Sequence, residues 1–346
     1  MKKKLLFSIL FFLFLLEIGL RVLGIYNSYG ESTNGIYQSY YGKTRPSWYF
    51  TWQPHLDFIY KQKEFSYRLQ TNSLGIREVE FQKEKSKNDF RIIVLGDSFT
   101  EGDGVPYEYS YPRILEQKIK ESCTDSSKTY TLWNAGVCGS DVLYSYVLLR
   151  DKLVEYNPDF VIININNSDL NDFVFRGGME RFLPDGTTVN KRGPWYNKLF
   201  MLSHTLRMVI KLSNPHFDIN MMMDNDKLQA VKKEAIVEII NAINQITLLC
   251  LEKNIKFSFV FHPFPFELNG PNGEIQEVID YLPPYTPVIN ILDPMREATK
   301  SYQYEEIAWP INLHYNQKGY ELMGEVVFEA LMDQNSFFME NCNDEK

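Results

Sequence analysis

The sequence is short of cysteine, of positive charge and of metal-binding spacing. Its 346 residues include four cysteines, Cys123, Cys138, Cys250 and Cys342. None forms a CxxC pair, which argues against a structural zinc site, and four in so long a chain do not make a disulfide framework. No HExxH segment occurs, and His204 and His216 lack ligand spacing, so a metal enzyme is a poor reading and no cofactor is expected. Lys and Arg number 36 against 44 Asp and Glu, a net charge of −8. A basic footprint for nucleic acid is therefore missing. No internal repeat or low-complexity tract is visible. What remains is a chain that is 44% hydrophobic and 15% aromatic, enough for a full core. The length allows about two domains at roughly 150 residues each. The pattern along the chain instead favours one α/β domain with additions.

The N-terminus carries Lys2, Lys3 and Lys4 ahead of Leu5 to Leu16, which is apolar except for Ser8. That is the charge layout of a signal peptide or signal anchor. The run is about 12 residues, short of the roughly 20 that span a bilayer. Ile18 to Ile25 completes the length but includes Glu17 and Arg21, spaced i, i+4 and able to pair on a helix. Residues 1–26 are read as an uncleaved transmembrane anchor, over a cleaved signal or a buried helix, with the rest of the chain on the extracytoplasmic side. Residues 27–88, with Tyr37, Tyr40, Tyr41, Trp48, Tyr49, Phe50 and Trp52, form an irregular aromatic extension that packs on the domain.

From residue 89 to about 335 strands and helices alternate. Strands are expected at 91–95, 130–133, 160–165, 257–261 and 288–292. Helices are expected at 111–121, 141–156, 227–253 and 317–332. Strands separated by helices predict a three-layer α/β/α sandwich around a parallel sheet of about five strands, flavodoxin-like in type. Residues 173–226, with Gly177, Gly178, Pro184, Gly186 and Met221 to Met223, interrupt the alternation as an insertion or lid. Residues 336–346 read as a polar tail.

Ligands of such sheets bind beyond the carboxyl ends of the strands. After the first strand comes Gly96-Asp97-Ser98-Phe99-Thr100. Gly96 permits a sharp turn, and Ser98 then opens a helix or turn whose backbone N–H groups can face an oxyanion. Thr100 stands where the second glycine of a GxSxG elbow would be, so that hydrolase type is absent. A helix-capping serine is the plain alternative. After the second strand, Asn134 to Ser140 brings Gly136 and Gly139, a loop that lets backbone approach a ligand. At the third strand's end, Asn164, Asn166, Asn167, Ser168, Asp169, Asn171 and Asp172 supply hydrogen-bond donors or turn caps. Ahead of the last helix sits Asn312-Leu313-His314. Among His55, His204, His216, His262 and His314, only His314 stands at the entrance of the last helix. His262, in Phe261-His262-Pro263, reads as structural.

These four segments, in this order, resemble the SGNH (GDSL-type) hydrolase superfamily. The run Arg91 to Thr100, with Asn72 to Arg77 upstream, looks like its bacterial membrane-anchored members. The resemblance spans about residues 70–335. It implies Ser98 as nucleophile and His314 as general base. It assigns the oxyanion to the N–H groups of Ser98 and Gly139. Members form an acyl-enzyme and hydrolyse it, or pass the acyl group to a sugar hydroxyl. The expected activity is an extracytoplasmic serine esterase acting on O-acyl groups of envelope glycan or lipid. The alternatives are an O-acyltransferase and a non-catalytic protein that binds glycan or a partner. Two positions depart from the family pattern. Ser168 occupies the slot of the oxyanion asparagine, with Asn167 or Asn171 as substitutes. Asn312 stands where an aspartate usually orients the histidine; its carbonyl can hold the ring, and Asp169, Asp172 or Asp293 can replace the charge.

Overall fold

Short apolar runs closed by glycine become buried strands, and longer runs at helical spacing become the layers that cover them. A computed structural model describes residues 2–26, 51–123, 127–184, 186, 188, 197–214 and 224–342. The chain divides into two compact units, Met1–Arg45 with Phe173–Ala235, and Pro46–Asp172 with Ile236–Lys346.

The larger unit opens with an antiparallel hairpin, β1 (Asp57–Lys61) and β2 (Ser66–Gln70). Five parallel strands follow: β3 (Asp89–Gly96), β4 (Thr129–Gly136), β5 (Phe160–Ile165), β6 (Lys256–Phe261) and β7 (Val288–Asn290). They lie in the order β4-β3-β5-β6-β7. Counted within the sheet, that is the doubly wound flavodoxin-like arrangement. The register sets Gly96 beside Gly136 and Leu95 beside Ile163, so the carboxyl ends of β3, β4 and β5 share one edge.

Alternation within the strands feeds two faces. Phe90, Ile92 and Val94 pack with Tyr111, Leu115 and Ile119 of the helix Tyr111–Ser122 and with Met323 and Val327 of Gln317–Gln334. Ile93 and Leu95 point the other way, and the helix Val142–Leu148 packs against β3 and β5. All four strand residues Ile92–Leu95 are completely buried. Each such side chain contributes roughly 1.5–3 kcal/mol. The sheet flanked by helices is the expected fold class.

Several local expectations change. The segment 27–88 is not wholly irregular: its second half holds the hairpin, whose Tyr60 and Tyr67 are buried together with Trp52. Alternating exposed and buried residues along β2 mark a strand with one packed face. Tyr37, Tyr40, Tyr41, Trp48, Tyr49 and Phe50 lie outside the described residues, as do His216 and Met221 to Met223. The expected helix 141–156 ends at Leu148 and continues as a π turn and a 3-10 turn. The amide-rich run 167–172 is the start of the helix Asn167–Arg176. Residues 336–342, expected in a polar tail, form a helix with Phe338 and Cys342 buried. Cys342 pairs with Cys123 across 219 residues of sequence.

The smaller unit contains the helix Lys2–Leu23, the helices Asn197–Leu202 and His204–Ser213, and a packed cluster of Val174, Leu228 and Val231. Lys3–Leu23 is long and apolar enough to cross a membrane, with a mean hydropathy of 2.3. Asn225–Glu252 passes the same test of length and composition, but 39% of its apolar window is buried inside the protein.

Candidate active site

The end of β3 builds the first part of the site. Gly96 has φ +155°, and a Cβ there would come 2.2 Å from Thr100 Oγ1, so the turn requires glycine. Asp97 caps the short helix Ser98–Glu101 by accepting the Phe99 N–H at 2.9 Å. The helix stops at Gly102, whose φ of 87° is left-handed, and the chain turns through Asp103.

Ser98 Oγ lies 2.6 Å from His314 Nε2. The other ring nitrogen, Nδ1, lies 2.7 Å from Asn312 Oδ1 and 3.2 Å from the Asn312 carbonyl. Asn312 Nδ2 in turn donates to Asp103 Oδ2 at 3.3 Å, and that oxygen is 3.8 Å from His314 Nδ1. Donors and acceptors match in one sense only. The Ser98 hydroxyl donates to Nε2, Nδ1–H donates to Asn312, and Asn312 donates to the Asp103 carboxylate; this tautomer is assigned from the partners. Leu313, between Asn312 and His314, has φ 69°. That backbone costs an L-residue about 1–2 kcal/mol. The Phe99 ring lies 4.5 Å from the imidazole and covers it.

Asp103 is almost fully buried and held on both sides. Tyr67 O–H donates to its other oxygen at 3.0 Å, and Tyr320 O–H to its carbonyl at 3.1 Å. Burial first, and then the Asp103 charge, push the Tyr67 phenol well above its ordinary range, so it stays a donor. Arg77 donates to the carbonyls of Gly102 at 2.8 Å and Val105 at 2.7 Å, bracing the same loop. The upstream Asn72 to Arg77 run thus packs on the Ser98 turn.

The loop after β4 is pinned to this turn on both sides of Gly139. Cys138 N–H donates to Glu101 Oε2 at 2.6 Å, and Ser140 Oγ to the Gly96 carbonyl at 3.0 Å. Asn134 Nδ2 donates to the Thr100 carbonyl at 2.7 Å. Gly139 itself has φ 71°. Glu101 is buried with Trp52 Nε1 3.0 Å away, and burial raises its carboxyl to about 7 against the pull of Arg77.

The segment after β5 reaches the turn through Asn166 and Ser168. Asn166 Nδ2 donates to Asp97 Oδ2 at 2.9 Å and lies 3.0 Å from His262 Nε2. His262 is buried, which lowers its pKa, and as a neutral ring it accepts there. Ser168 Oγ donates to Asp97 Oδ2 at 3.3 Å.

A GDSL-like Lipase/Acylhydrolase family model matches residues 92–327. The chain belongs to that family. No match is found among curated proteins. Solved structures similar to it include a two-domain esterase active on acetylated mannans, at 16% identity and TM-score 0.42. The match covers 72% of this chain and 50% of that one, so the chain spans half the esterase's length. Another is a catalytic mutant of an acetylxylan esterase from Geobacillus stearothermophilus, at 12% identity and TM-score 0.42, covering 72% and 96%. A third is the lipase/acylhydrolase from Enterococcus faecalis, at 16% identity and TM-score 0.40, covering 70% and 95%.

Within this GDSL-like chain, Ser98, His314 and Asn312 meet, and Gly139 sits in a loop tied to their turn. Other candidates turn elsewhere. Asn167 Oδ1 accepts the Ile275 N–H at 3.1 Å, and its amide nitrogen faces Gly273, which ties the side chain to that loop. Asp169 accepts the N–H groups of Val142 and Asn166, and Asp293 is 87% exposed beside Arg296. The carboxylate at the histidine is Asp103, which sequence reasoning passed over. Its signal was an acidic residue between Gly102 and Gly104, directly after the helix Ser98–Glu101. Among the described residues no group of three His, Cys, Asp or Glu could hold a metal ion.

Proposed function

We propose that the protein is a membrane-anchored, extracytoplasmic serine esterase that cleaves O-acyl groups from envelope glycan or lipid. The observation that carries this reading is the 2.6 Å contact between Ser98 Oγ and His314 Nε2. Ser98 attacks the acyl carbonyl carbon while His314 Nε2 takes the hydroxyl proton. The N–H groups of Ser98 and Gly139 receive the oxyanion, and the Ser168 hydroxyl joins them by leaving Asp97. His314 then returns the proton to the departing alkoxide oxygen, leaving an acyl-Ser98 ester. Water, deprotonated by the same nitrogen, attacks that ester and releases the acid.

Asn312 fixes the tautomer, and Asp103 supplies the negative charge that faces the imidazolium at 3.8 Å. At an effective dielectric constant near 20, such a charge pair interacts by a few kcal/mol. The departure at Asn312 therefore does not leave the ring without a carboxylate. Support for the location comes from Lys2 to Lys4 ahead of the apolar helix and from the Cys123–Cys342 disulfide, which suits an oxidising compartment. Full-length protein in detergent is expected to release p-nitrophenol from p-nitrophenyl acetate. Ser98→Ala should lower kcat by at least about 10³-fold. Undiminished turnover in that variant would refute the nucleophile assignment.

A further inference from the structure

The smaller unit buries Phe200, Val174 and Leu228, yet it also leaves an apolar face open and takes charged groups inside. Its helices Asn197–Leu202 and His204–Ser213 bury His204 and Arg207, the latter completely. Leu199, Leu202, Val209 and Leu212 are 55%, 68%, 52% and 67% exposed. Helices on a soluble protein show the reverse, with charge outside and apolar residues inside.

Glu17, Arg21, His204 and Arg207 are engaged, and their partners lie on both the helix pair and the N-terminal helix. The Glu17 carboxylate accepts the Ser203 hydroxyl at 3.0 Å and the N–H groups of His204 at 3.0 Å and Thr205 at 2.8 Å. It thereby caps the His204–Ser213 helix. Arg21 donates to Glu17 at 2.9 Å and also to the Leu202 carbonyl. His204 Nδ1 lies 2.8 Å from the Ile25 carbonyl, and Arg207 donates to the carbonyls of Tyr26 and Phe200. Ionisable groups within a membrane take this arrangement, facing the bundle interior and pairing with one another or with carbonyls.

The N-terminal helix continues the same pattern. Its apolar residues between Leu5 and Leu15 are exposed, whereas Leu20, beside the Glu17–Arg21 pair, is buried. Leu5 to Leu16 alone is about 18 Å of helix, against a hydrocarbon core of about 30 Å. The helix can fill the remainder only if Glu17 and Arg21 are satisfied away from water, and residues 202–205 satisfy them.

We propose that the helix pair Asn197–Ser213 is a second lipid-contacting element. Its exposed apolar face is covered by acyl chains of the leaflet around the far end of the N-terminal helix. This rests on the membrane reading of that helix and not on the catalytic one. The test is to reconstitute the full chain in phosphatidylcholine vesicles containing a small share of phosphatidylcholine with a diazirine in its acyl chain. After irradiation, adducts are mapped by peptide mass spectrometry. Adducts are expected along Leu5 to Leu16 and at Leu199, Leu202, Val209 and Leu212. Both sets should lie about tenfold above those at Ile59 and Tyr285, exposed residues of the larger unit. Adducts along Leu5 to Leu16, with Leu199 to Leu212 at the level of Ile59, would overturn the proposal and leave the anchor standing. Adducts at neither would overturn both.

Discussion

The Ser98 turn, residues 96–104, and the histidine loop, residues 309–316, hold the two halves of the Ser98–His314 pair by different means. The turn is mostly local. A buried strand ends at Gly96, Asp97 caps the next helix, and Gly102 ends it in a left-handed conformation. The loop is held from a distance. Glu64, in the β1–β2 hairpin turn, accepts the Ile311 N–H at 3.0 Å and the Asn312 N–H at 2.7 Å. The Trp309 ring packs on Phe65 at 5.6 Å, and its indole N–H donates to the Gly104 carbonyl at 3.1 Å. The loop also lacks a carboxylate of its own: Asn312 relays to Asp103, which belongs to the Ser98 turn. One turn thus carries both the Ser98 hydroxyl and the carboxylate that faces the His314 ring.

The largest test of that division exchanges the acid between the two regions. Replacing a directly bonded triad aspartate by asparagine costs roughly 10⁴ in a serine protease, and a carboxylate acting through an amide should matter less. Asp103→Asn is expected to lower kcat by about 10²-fold with little change in KM. Asn312→Asp would place a second carboxylate 3.3 Å from Asp103, where like charges oppose each other. It should change kcat by less than about tenfold. An unchanged kcat in Asp103→Asn, together with a gain of several hundredfold in Asn312→Asp, would show that the histidine loop lacks a charge that Asp103 does not supply.

The contrast also explains which features could be read from the amino-acid sequence. Ile92 to Gly96 and Phe160 to Ile165 announce buried strands because each is a short apolar run. The sheet order brings their ends together whatever the loops do. Ser98 and His314 follow from their place after strands. Asp103 does not, because its direction is set by Tyr67, Arg77 and Tyr320, each of which is distant from it in sequence. The Cys123–Cys342 pair escapes notice for the same reason, as does the commitment of Asn167 to the 273–275 loop. The hairpin that braces the histidine loop is only two five-residue strands with mixed polarity, too short for a period to stand out.

A smaller effect concerns the link from the Ser98 turn to the Gly139 loop. The Glu101 carboxyl, raised by burial to about 7, keeps a proton that the unfolded chain releases near 4.5. Between those pH values the unfolded state binds fewer protons, so this group's contribution to stability is fullest below pH 4.5. It falls as the pH rises and levels off above 7. Glu101→Gln stays neutral throughout. It should flatten the decline in urea midpoint between pH 4.5 and 8 relative to the parent protein, by an amount corresponding to about 3 kcal/mol. Equal slopes in the two proteins would show that Glu101 does not titrate inside the fold.

In the proposed mechanism, His314 makes Ser98 a nucleophile. Covalent labelling of the full-length protein with a fluorophosphonate, read by intact mass and peptide mapping, tests it most directly. One adduct is expected, located on Ser98, and it should disappear in His314→Ala. No adduct, or undiminished labelling of Ser98 in His314→Ala, would contradict it.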